Sequence, residues 1–323
     1  MKRSHQIFVV STLVLGLSLV LTSFQSSMKL DVVKARNVGA AFPGLKALVV
    51  GGTSGIGEAI ALRLARAQFD VVIVGRNAAR GEAVVAAMQA SHPSGTYSFL
   101  PLDAQYVKNV KGLAAQFPQL DRLVLTQGIA TIQGRTETSE GLDQKLSLHY
   151  YSRMAFIAEF LPVLRASSRS PRVLSVLSGG IHAPYAKFQE DPELKDNYSL
   201  KNAADAAGFY NDLMLDAFAE DEANKNIAFG HSAPGFVATN WGTEMPWALR
   251  TLLIRPLQWF GKSSADCAEF MSDFLLQPTP ASGFHAITQH GDAAKTTDLH
   301  TPEAKAFMKA HTLGLLSKIM SEQ

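Results

Sequence analysis

Glycine placement in one short stretch constrains this chain more than any other feature. In Leu48-Val49-Val50-Gly51-Gly52-Thr53-Ser54-Gly55-Ile56-Gly57-Glu58-Ala59-Ile60, an apolar run breaks into glycines and then resumes with helical spacing. That order reads as a strand, a tight turn and a helix start. The geometry presents backbone N–H groups and the positive end of a helix to a phosphate. Gly51 supplies the turn, Gly55 lets the backbone approach a pyrophosphate, and Gly57 lets the helix pack on the strand. A Cβ at these points would push the ligand away.

Apolar β-rich runs alternate with helical stretches along the rest of the chain. Val71-Val72-Ile73-Val74, Tyr97-Ser98-Phe99-Leu100, Leu123-Val124-Leu125, Val173-Leu174-Ser175-Val176-Leu177, Ile227-Ala228-Phe229-Gly230-His231 and the weaker Phe284-His285-Ala286-Ile287 read as further strands. Between them lie helical patterns such as Ala59 to Gln68 and Gly81 to Ala90. The implied class is α/β: a three-layer, Rossmann-type, doubly wound parallel sheet covered on both faces. Ligands of such sheets bind beyond the carboxyl ends of the strands. After the second strand come Gly75-Arg76-Asn77, where a chain selecting NAD carries Asp or Glu for the ribose hydroxyls. Gly75 leaves room and Arg76 offers a cation, which suits the 2′-phosphate of NADP. The plainer alternative is an exposed arginine at a strand end.

The 323 residues, 47% of them hydrophobic, suffice for a well-filled core. Thirty basic and 28 acidic residues, with no recurring basic block, argue against nucleic acid as a partner. Cys267 is the single cysteine, which excludes an internal disulfide or a cysteine-based metal site and reads as a small buried hydrophobe. The N-terminus differs in kind: Lys2 and Arg3 precede an apolar run from Ile7 to Leu21, and no charged residue follows until Lys29. Its length lies between a signal-peptide core and a minimal spanning helix. The exit Leu21-Thr22-Ser23-Phe24-Gln25-Ser26-Ser27 lacks an A-x-A-like cleavage site, which favours an uncleaved hydrophobic anchor helix over a cleaved signal. Residues 1–42 are therefore expected to be anchor or signal plus linker, and residues 43–323 the dinucleotide-binding domain.

From Pro43 to the last strand the ordered motifs resemble the short-chain dehydrogenase/reductase family. The Gly51 to Gly57 loop is similar to its T-G-x-x-x-G-x-G, with Val50 in place of the threonine. Leu102-Asp103 is similar to the position whose acidic side chain meets the adenine ring, and Thr126-Gln127-Gly128 stands where the family writes N-A-G. Val176-Leu177-Ser178 resembles the segment carrying the catalytic serine, and Pro234-Gly235-Phe236-Val237-Ala238-Thr239 resembles P-G-x-V-x-T, which lies against the nicotinamide. The resemblance implies NADPH/NADP+ as cofactor, bound by Gly51, Thr53, Ser54, Gly55, Ile56, Gly57, Arg76, Asp103, Gly128, Pro234, Gly235, Val237 and Thr239.

Agreement fails on the catalytic helix. Asn197-Tyr198-Ser199-Leu200-Lys201-Asn202-Ala203-Ala204 resembles the family's Y-x-x-x-K region, yet the lysine follows the tyrosine by three residues and Asn202 takes its usual place. One residue swings a side chain by about 100° around a helix, so Lys201 does not simply replace the missing lysine; it stands among the candidate catalytic residues, with a solvated surface residue as the alternative. The family's asparagine in the preceding long helix corresponds to His149. In the family the tyrosine gives a proton to the carbonyl oxygen while hydride arrives from the nicotinamide, and the serine holds that oxygen. Ser178 and Tyr198 are implied as that pair. Asn202 is implied on the nicotinamide ribose, and His149 as a proton source or a carrier of part of the missing charge. A satisfied helix histidine is the alternative for His149, and Tyr210 reads as packing. A neutral phenol is the acid form, so reduction suffers less than oxidation from the lost lysine.

Trp241 to Phe260 is dense in large apolar groups, and in the family the segment after P-G-x-V-x-T folds over the substrate. An apolar ketone or aldehyde, or the corresponding alcohol, is the expected small-molecule partner. The alternatives are a helix packing on the domain and a face on the bilayer. Two functions stay open: an NADP(H)-dependent carbonyl reductase, and a catalytically impaired dinucleotide-binding sensor or scaffold. The expected setting is an internal membrane, the endoplasmic reticulum, with the domain facing the cytosol. The single sequon, Asn197-Tyr198-Ser199, overlaps the catalytic tyrosine, and a glycan there would crowd the site. A cleaved signal would instead send the domain along the secretory pathway. Pairing as a homo-oligomer is a further expectation from the resemblance.

Overall fold

Successive residues of the first strand serve opposite sides of the sheet. Leu48 and Val50 join one apolar cluster with Phe156, Phe160 and Leu213, whereas Ala47 and Val49 join another with Leu64 and Met271. That period of two, with both faces apolar, requires helices on either side and yields three layers. The structure is a computed structural model describing residues 29–239, 247, 251–252, 255–258, 260–278 and 281–322.

The strands are β1 (Lys46–Val50), β2 (Asp70–Gly75), β3 (Tyr97–Pro101), β4 (Arg122–Leu125), β5 (Arg172–Val176), β6 (Ala228–Ser232), a short pair β7 (Val237–Ala238) and β8 (Lys262–Ser263), and β9 (Gly283–Ile287). The main sheet has seven strands in the order β3-β2-β1-β4-β5-β6-β9, with every neighbouring pair parallel. All the strands expected from the sequence are present. The β7–β8 pair was not foreseen, each strand being only two residues long. One face of the sheet carries α2 (Gly55–Arg66), α3 (Ala78–Ser91) and α7 (Ser264–Leu276). The other carries the short α4 (Gln144–Leu146), α5 (Ser152–Ala166), α6 (Leu200–Ala219) and α8 (Pro302–Ser321), with a π turn at Ser147–Tyr151 joining α4 to α5.

Two buried cations tie the sheet to α7 at the end remote from the crevice. Arg122 and Arg172 are register partners, each 1% exposed. Arg122 Nε donates to Leu275 O and Arg172 Nη1 to Phe274 O, both at 2.8 Å. Carbonyls at a helix C-terminus lack intrahelical partners and favour positive charge. Cys267, on the same helix, is wholly buried, and burial pushes its thiol up to about 12.

Residues 29–38, ahead of the domain boundary expected at Pro43, form helix α1 and dock on α7. Val33 enters the apolar cluster there, and Lys34–Asp266 (2.7 Å) and Arg36–Asp273 (3.0 Å) pair across the contact. The apolar run from Ile7 to Leu21 lies outside the described residues. Among the described residues, no helix is long and apolar enough to cross a membrane.

Candidate active site

Strand order reverses between β1 and β4, which opens a crevice beyond their carboxyl ends. Gly51 leaves β1 at φ +81°, and a Cβ there would stand 2.7 Å from Thr126 Oγ1 and 2.8 Å from Gln127 N. Gly57 packs directly on the Gly51 carbonyl. Ser54 is the N-cap of α2, yet its side chain makes no capping bond, which leaves the first N–H groups open to an anion. Thr53 lies in the turn and Ile56 in the first turn of α2. A Cβ on Gly55 would meet Thr239 at 3.4 Å, so the segment expected at the nicotinamide reaches the glycine loop. Within that segment Gly235 has φ +69° and abuts Gln289, and Val237 pairs with Lys262 across β7–β8. Pro234 sits at its start, where its carbonyl faces Cys267 Sγ at 3.8 Å.

Arg76 and Asp103 meet at the ends of β2 and β3, 4.0 Å apart, with the arginine side chain 68% exposed. Gly75 has a local reason beyond leaving room for a ribose: a Cβ would lie 2.6 Å from Thr53 Cγ2. The donors and glycines in this crevice fit a dinucleotide, whose phosphates need backbone N–H groups that no Cβ obstructs.

Ser178 follows β5, and its Oγ is buried without a hydrogen-bond partner among the described residues. Its N–H donates to His231 Nε2 at 3.1 Å and its carbonyl faces His182 Nδ1 at 2.9 Å. Both imidazoles reach Asp212. The helix α6 meets Ser178 at Gly208, where a Cβ would collide with Ser178 Oγ. Gly208 lies six residues beyond Asn202, or about 9 Å of helix rise.

The expected catalytic helix is therefore shifted. Tyr198 precedes α6, whose N-cap Ser199 accepts from Asn202 N at 3.0 Å. Asn202, expected on the nicotinamide ribose, donates instead from Nδ2 to Asn197 O at 2.7 Å and closes the loop before the helix. Lys201 pairs with Asp205 at 2.5 Å, 77% exposed, consistent with its reading as a solvated residue. Tyr198 Oη accepts from Lys145 Nζ at 2.9 Å, and the ammonium also lies 5.5 Å from the ring centroid. Burial, with the charge of Asp143, pushes the Tyr198 phenol up to about 12. Sequence reasoning passed over Lys145, since no motif marks it. Its one signal is position, four residues before His149 on the same helical run.

His149 corrects another expectation. Its Nε2 accepts from Ile129 N at 3.0 Å, and burial, with the charges of Arg153 and Lys145, lowers its pKa to about 3. A ring held neutral in this way carries none of the missing positive charge. Gly128 is required beside it, because a Cβ would stand 2.7 Å from His149 Nε2. Asn211 Nδ2 donates to His149 O at 2.9 Å, and Asn211 Oδ1 accepts from Ser175 Oγ at 2.8 Å. Tyr210 is fully buried against Tyr150, as packing demands. The apolar segment Trp241 to Phe260 falls largely outside the described residues.

Comparison with known proteins identifies the family. The pattern for short chain dehydrogenases matches residues 46–190. Short-chain dehydrogenase/reductase SAT2 of Stachybotrys chartarum is 30% identical over 284 residues, which covers 80% of this chain and 78% of that protein. Oxidoreductase AN1596 of Emericella nidulans is 39% identical over 220 residues, covering 66% of this chain and 65% of that protein. The chain thus spans just under two thirds of the length of AN1596. The crystal structure of a short chain dehydrogenase from Burkholderia cenocepacia J2315 in complex with NADP shares the fold, with TM-score 0.54 at 21% identity over 79% of this chain and 96% of that one. The chain belongs to the short-chain dehydrogenase/reductase family, a family of oxidoreductases that bind a nicotinamide dinucleotide.

Proposed function

We propose that this oxidoreductase uses NADP(H) and reduces the carbonyl of an apolar ketone or aldehyde. The observations that carry the reading are the glycine cradle with Arg76 beside Asp103 in the crevice, and Ser178 directly after β5, its buried Oγ without a partner among the described residues. The arginine favours a 2′-phosphate, and the NADP held by the Burkholderia enzyme supports the same choice. When bound, the cofactor supplies hydride to the carbonyl carbon. Ser178 Oγ donates to the substrate oxygen, and the neutral Tyr198 phenol is the expected source of the proton, although it precedes α6 and stands ten residues ahead of Gly208, the residue of that helix that faces Ser178. Lys145, as an ammonium on Tyr198 Oη, orients the phenol and returns a proton to it. The apolar composition of residues 241–260 supports an apolar substrate. The same reading has residues 43–323 as the catalytic domain on the cytosolic side of an internal membrane, held there by the apolar run from Ile7 to Leu21.

A second reading has its own observation. The helix α6 offers Gly208 to Ser178, while Lys201 and Asn202 are engaged elsewhere. On that reading the chain binds the dinucleotide as a sensor or scaffold. NADPH titration and NADPH oxidation across a panel of apolar ketones and aldehydes separate the two. Binding with turnover supports the reductase, binding with no turnover across the panel supports the sensor, and absence of binding removes both.

A further inference from the structure

Two imidazoles that share one carboxylate hold the backbone of Ser178. His231 Nε2 takes its N–H and His182 Nδ1 takes its carbonyl. Asp212, on α6, lies between the rings: His231 Nδ1 is 2.6 Å from Oδ1, and His182 Nε2 is 3.2 Å from Oδ2. The rings stack with centroids 5.9 Å apart. The side chains of Asp212 and His231 are wholly buried, and that of His182 is 2% exposed.

The proton positions follow from the partners. An amide N–H only donates, so His231 Nε2 offers its lone pair there, and the proton of the neutral ring sits on Nδ1 toward Asp212. A carbonyl only accepts, so His182 Nδ1 is protonated. His182 Nε2 faces a carboxylate oxygen, where a lone pair would be repelled, and it is protonated as well. These contacts favour the imidazolium form of His182, as an ion pair with the Asp212 carboxylate 3.2 Å away. Burial opposes that charge, but the adjacent Asp212 carboxylate and the Ser178 carbonyl outweigh it and raise the His182 pKa. Burial likewise opposes the Asp212 carboxylate, yet the two rings hold it at about 2. Asp205 on α6 also faces His182, and Arg153 on α5 faces His231.

The ligand atoms of these three side chains lie within 4.8 Å of one another, a grouping that also suits a metal ion. A metal on His231 Nδ1 needs that nitrogen's lone pair while Nε2 already accepts from Ser178 N–H, which would demand an imidazolate. The hydrogen-bond pattern favours protons.

We propose that Asp212, through His182 and His231, positions the Ser178 backbone at the carboxyl end of β5 and thereby fixes where Ser178 Oγ stands. The proposal rests on the reading of Ser178 as the group that holds the substrate oxygen. Gly208, one turn before Asp212, completes the arrangement: a Cβ there would stand 2.6 Å from His182 Cγ.

The test is an NMR titration of the full chain, with ¹⁵N-labelled histidine and backbone, from about pH 5 to about pH 9. In the wild type, one histidine remains doubly protonated at neutral pH and a second is locked as the Nδ1–H tautomer. In Asp212→Asn the doubly protonated ring becomes neutral and the Ser178 amide resonance moves. NADPH affinity stays within about twofold, while kcat on the same carbonyl substrate falls about tenfold or more, the size of coupling found within one hydrogen-bond network. Asp212→Glu recovers part of that loss. If Asp212→Asn does not fold, the wild-type titration and His182→Gln decide. A neutral His182 at neutral pH, stoichiometric uptake of zinc, or an unmoved Ser178 amide overturns the proposal. Absence of turnover in the wild type counts against the reductase reading, and the NMR outcomes still judge the positioning role.

Discussion

Lys145 Nζ stands 2.9 Å from Tyr198 Oη, although the two residues are 53 positions apart in the chain. Asp143 makes the contact possible by accepting from the N–H groups of Lys145 and Leu146, which starts the helical run just ahead of His149. The ammonium also donates to Gln133 O at 2.7 Å and to Gly134 O at 3.4 Å, so three acceptors hold it in place. The charge missing four residues after the tyrosine thus arrives from a different helix.

Lys145→Met removes that charge and keeps most of the stem. Reductive turnover should fall by about 10²-fold, the lower end of what positioned acid–base groups contribute, with NADPH binding retained. Added to Tyr198→Phe, the same change should cost little more, because the two act as a unit. Unchanged turnover in Lys145→Met would show that Tyr198 works without it.

The pH profile follows from the phenol. With its pKa pushed up to about 12, Tyr198 stays protonated through neutral pH, so it imposes no falling limb on reduction until the pH approaches that value. The reverse reaction needs phenolate and should rise about tenfold per pH unit over the same range. Steady-state rates in both directions from about pH 6 to about pH 9 decide the matter. A falling limb near neutrality in reduction would assign the proton to another group.

The sheet was legible because parallel strands buried on both faces advertise themselves as apolar runs, and the glycine loop because its backbone tolerates no Cβ. The catalytic region was less so. Tyr198 matches one position of a motif in sequence, with Asn202 where its lysine is missing, but Ser199 starts α6 after the tyrosine and brings Gly208 to Ser178. Motif spacing reports neither where a helix begins nor which turn of it meets a distant strand. His182, Asp212 and His231 come from three separate stretches and meet at Ser178 only when α6 packs on the sheet, while Lys145 reaches Tyr198 from α4.

Arg76→Ala tests cofactor choice. Loss of a charge-assisted bond to phosphate should cost about 1.5–3 kcal/mol of NADPH binding, roughly 10- to 150-fold, and leave NADH almost unaffected. Calorimetric titration of both cofactors into wild type and variant gives the answer. Equal wild-type affinities for NADPH and NADH would end the NADP assignment.

His149 predicts a stability change with pH. Its folded pKa of about 3 lies below the unfolded value near 6.5, so the unfolded chain binds the proton more readily. The stabilisation is present above about pH 6.5 and is lost progressively as pH falls toward about 3. His149→Asn should flatten that part of the profile, by a difference on the order of a few kcal/mol across it. Denaturant unfolding of both proteins at matched pH values measures the difference directly. Parallel profiles would mean that the ring protonates freely in the folded state.

Asn197 bears on which side of a membrane the domain works. Its Nδ2 donates to Asp191 Oδ2 at 3.0 Å and its Oδ1 accepts from Lys187 Nζ at 2.6 Å. Asp191 in turn accepts from the N–H groups of Lys195, Asp196 and Asn197, which shapes the loop entering Tyr198. A glycan on Nδ2 would have to displace Asp191 and loosen the backbone that brings the phenol to Lys145. The active chain should therefore lack this glycan, with no mass change on endoglycosidase treatment, and protease added to intact microsomes should digest the domain. An active chain carrying a glycan at Asn197 would overturn both the cytosolic placement and the role given to this loop.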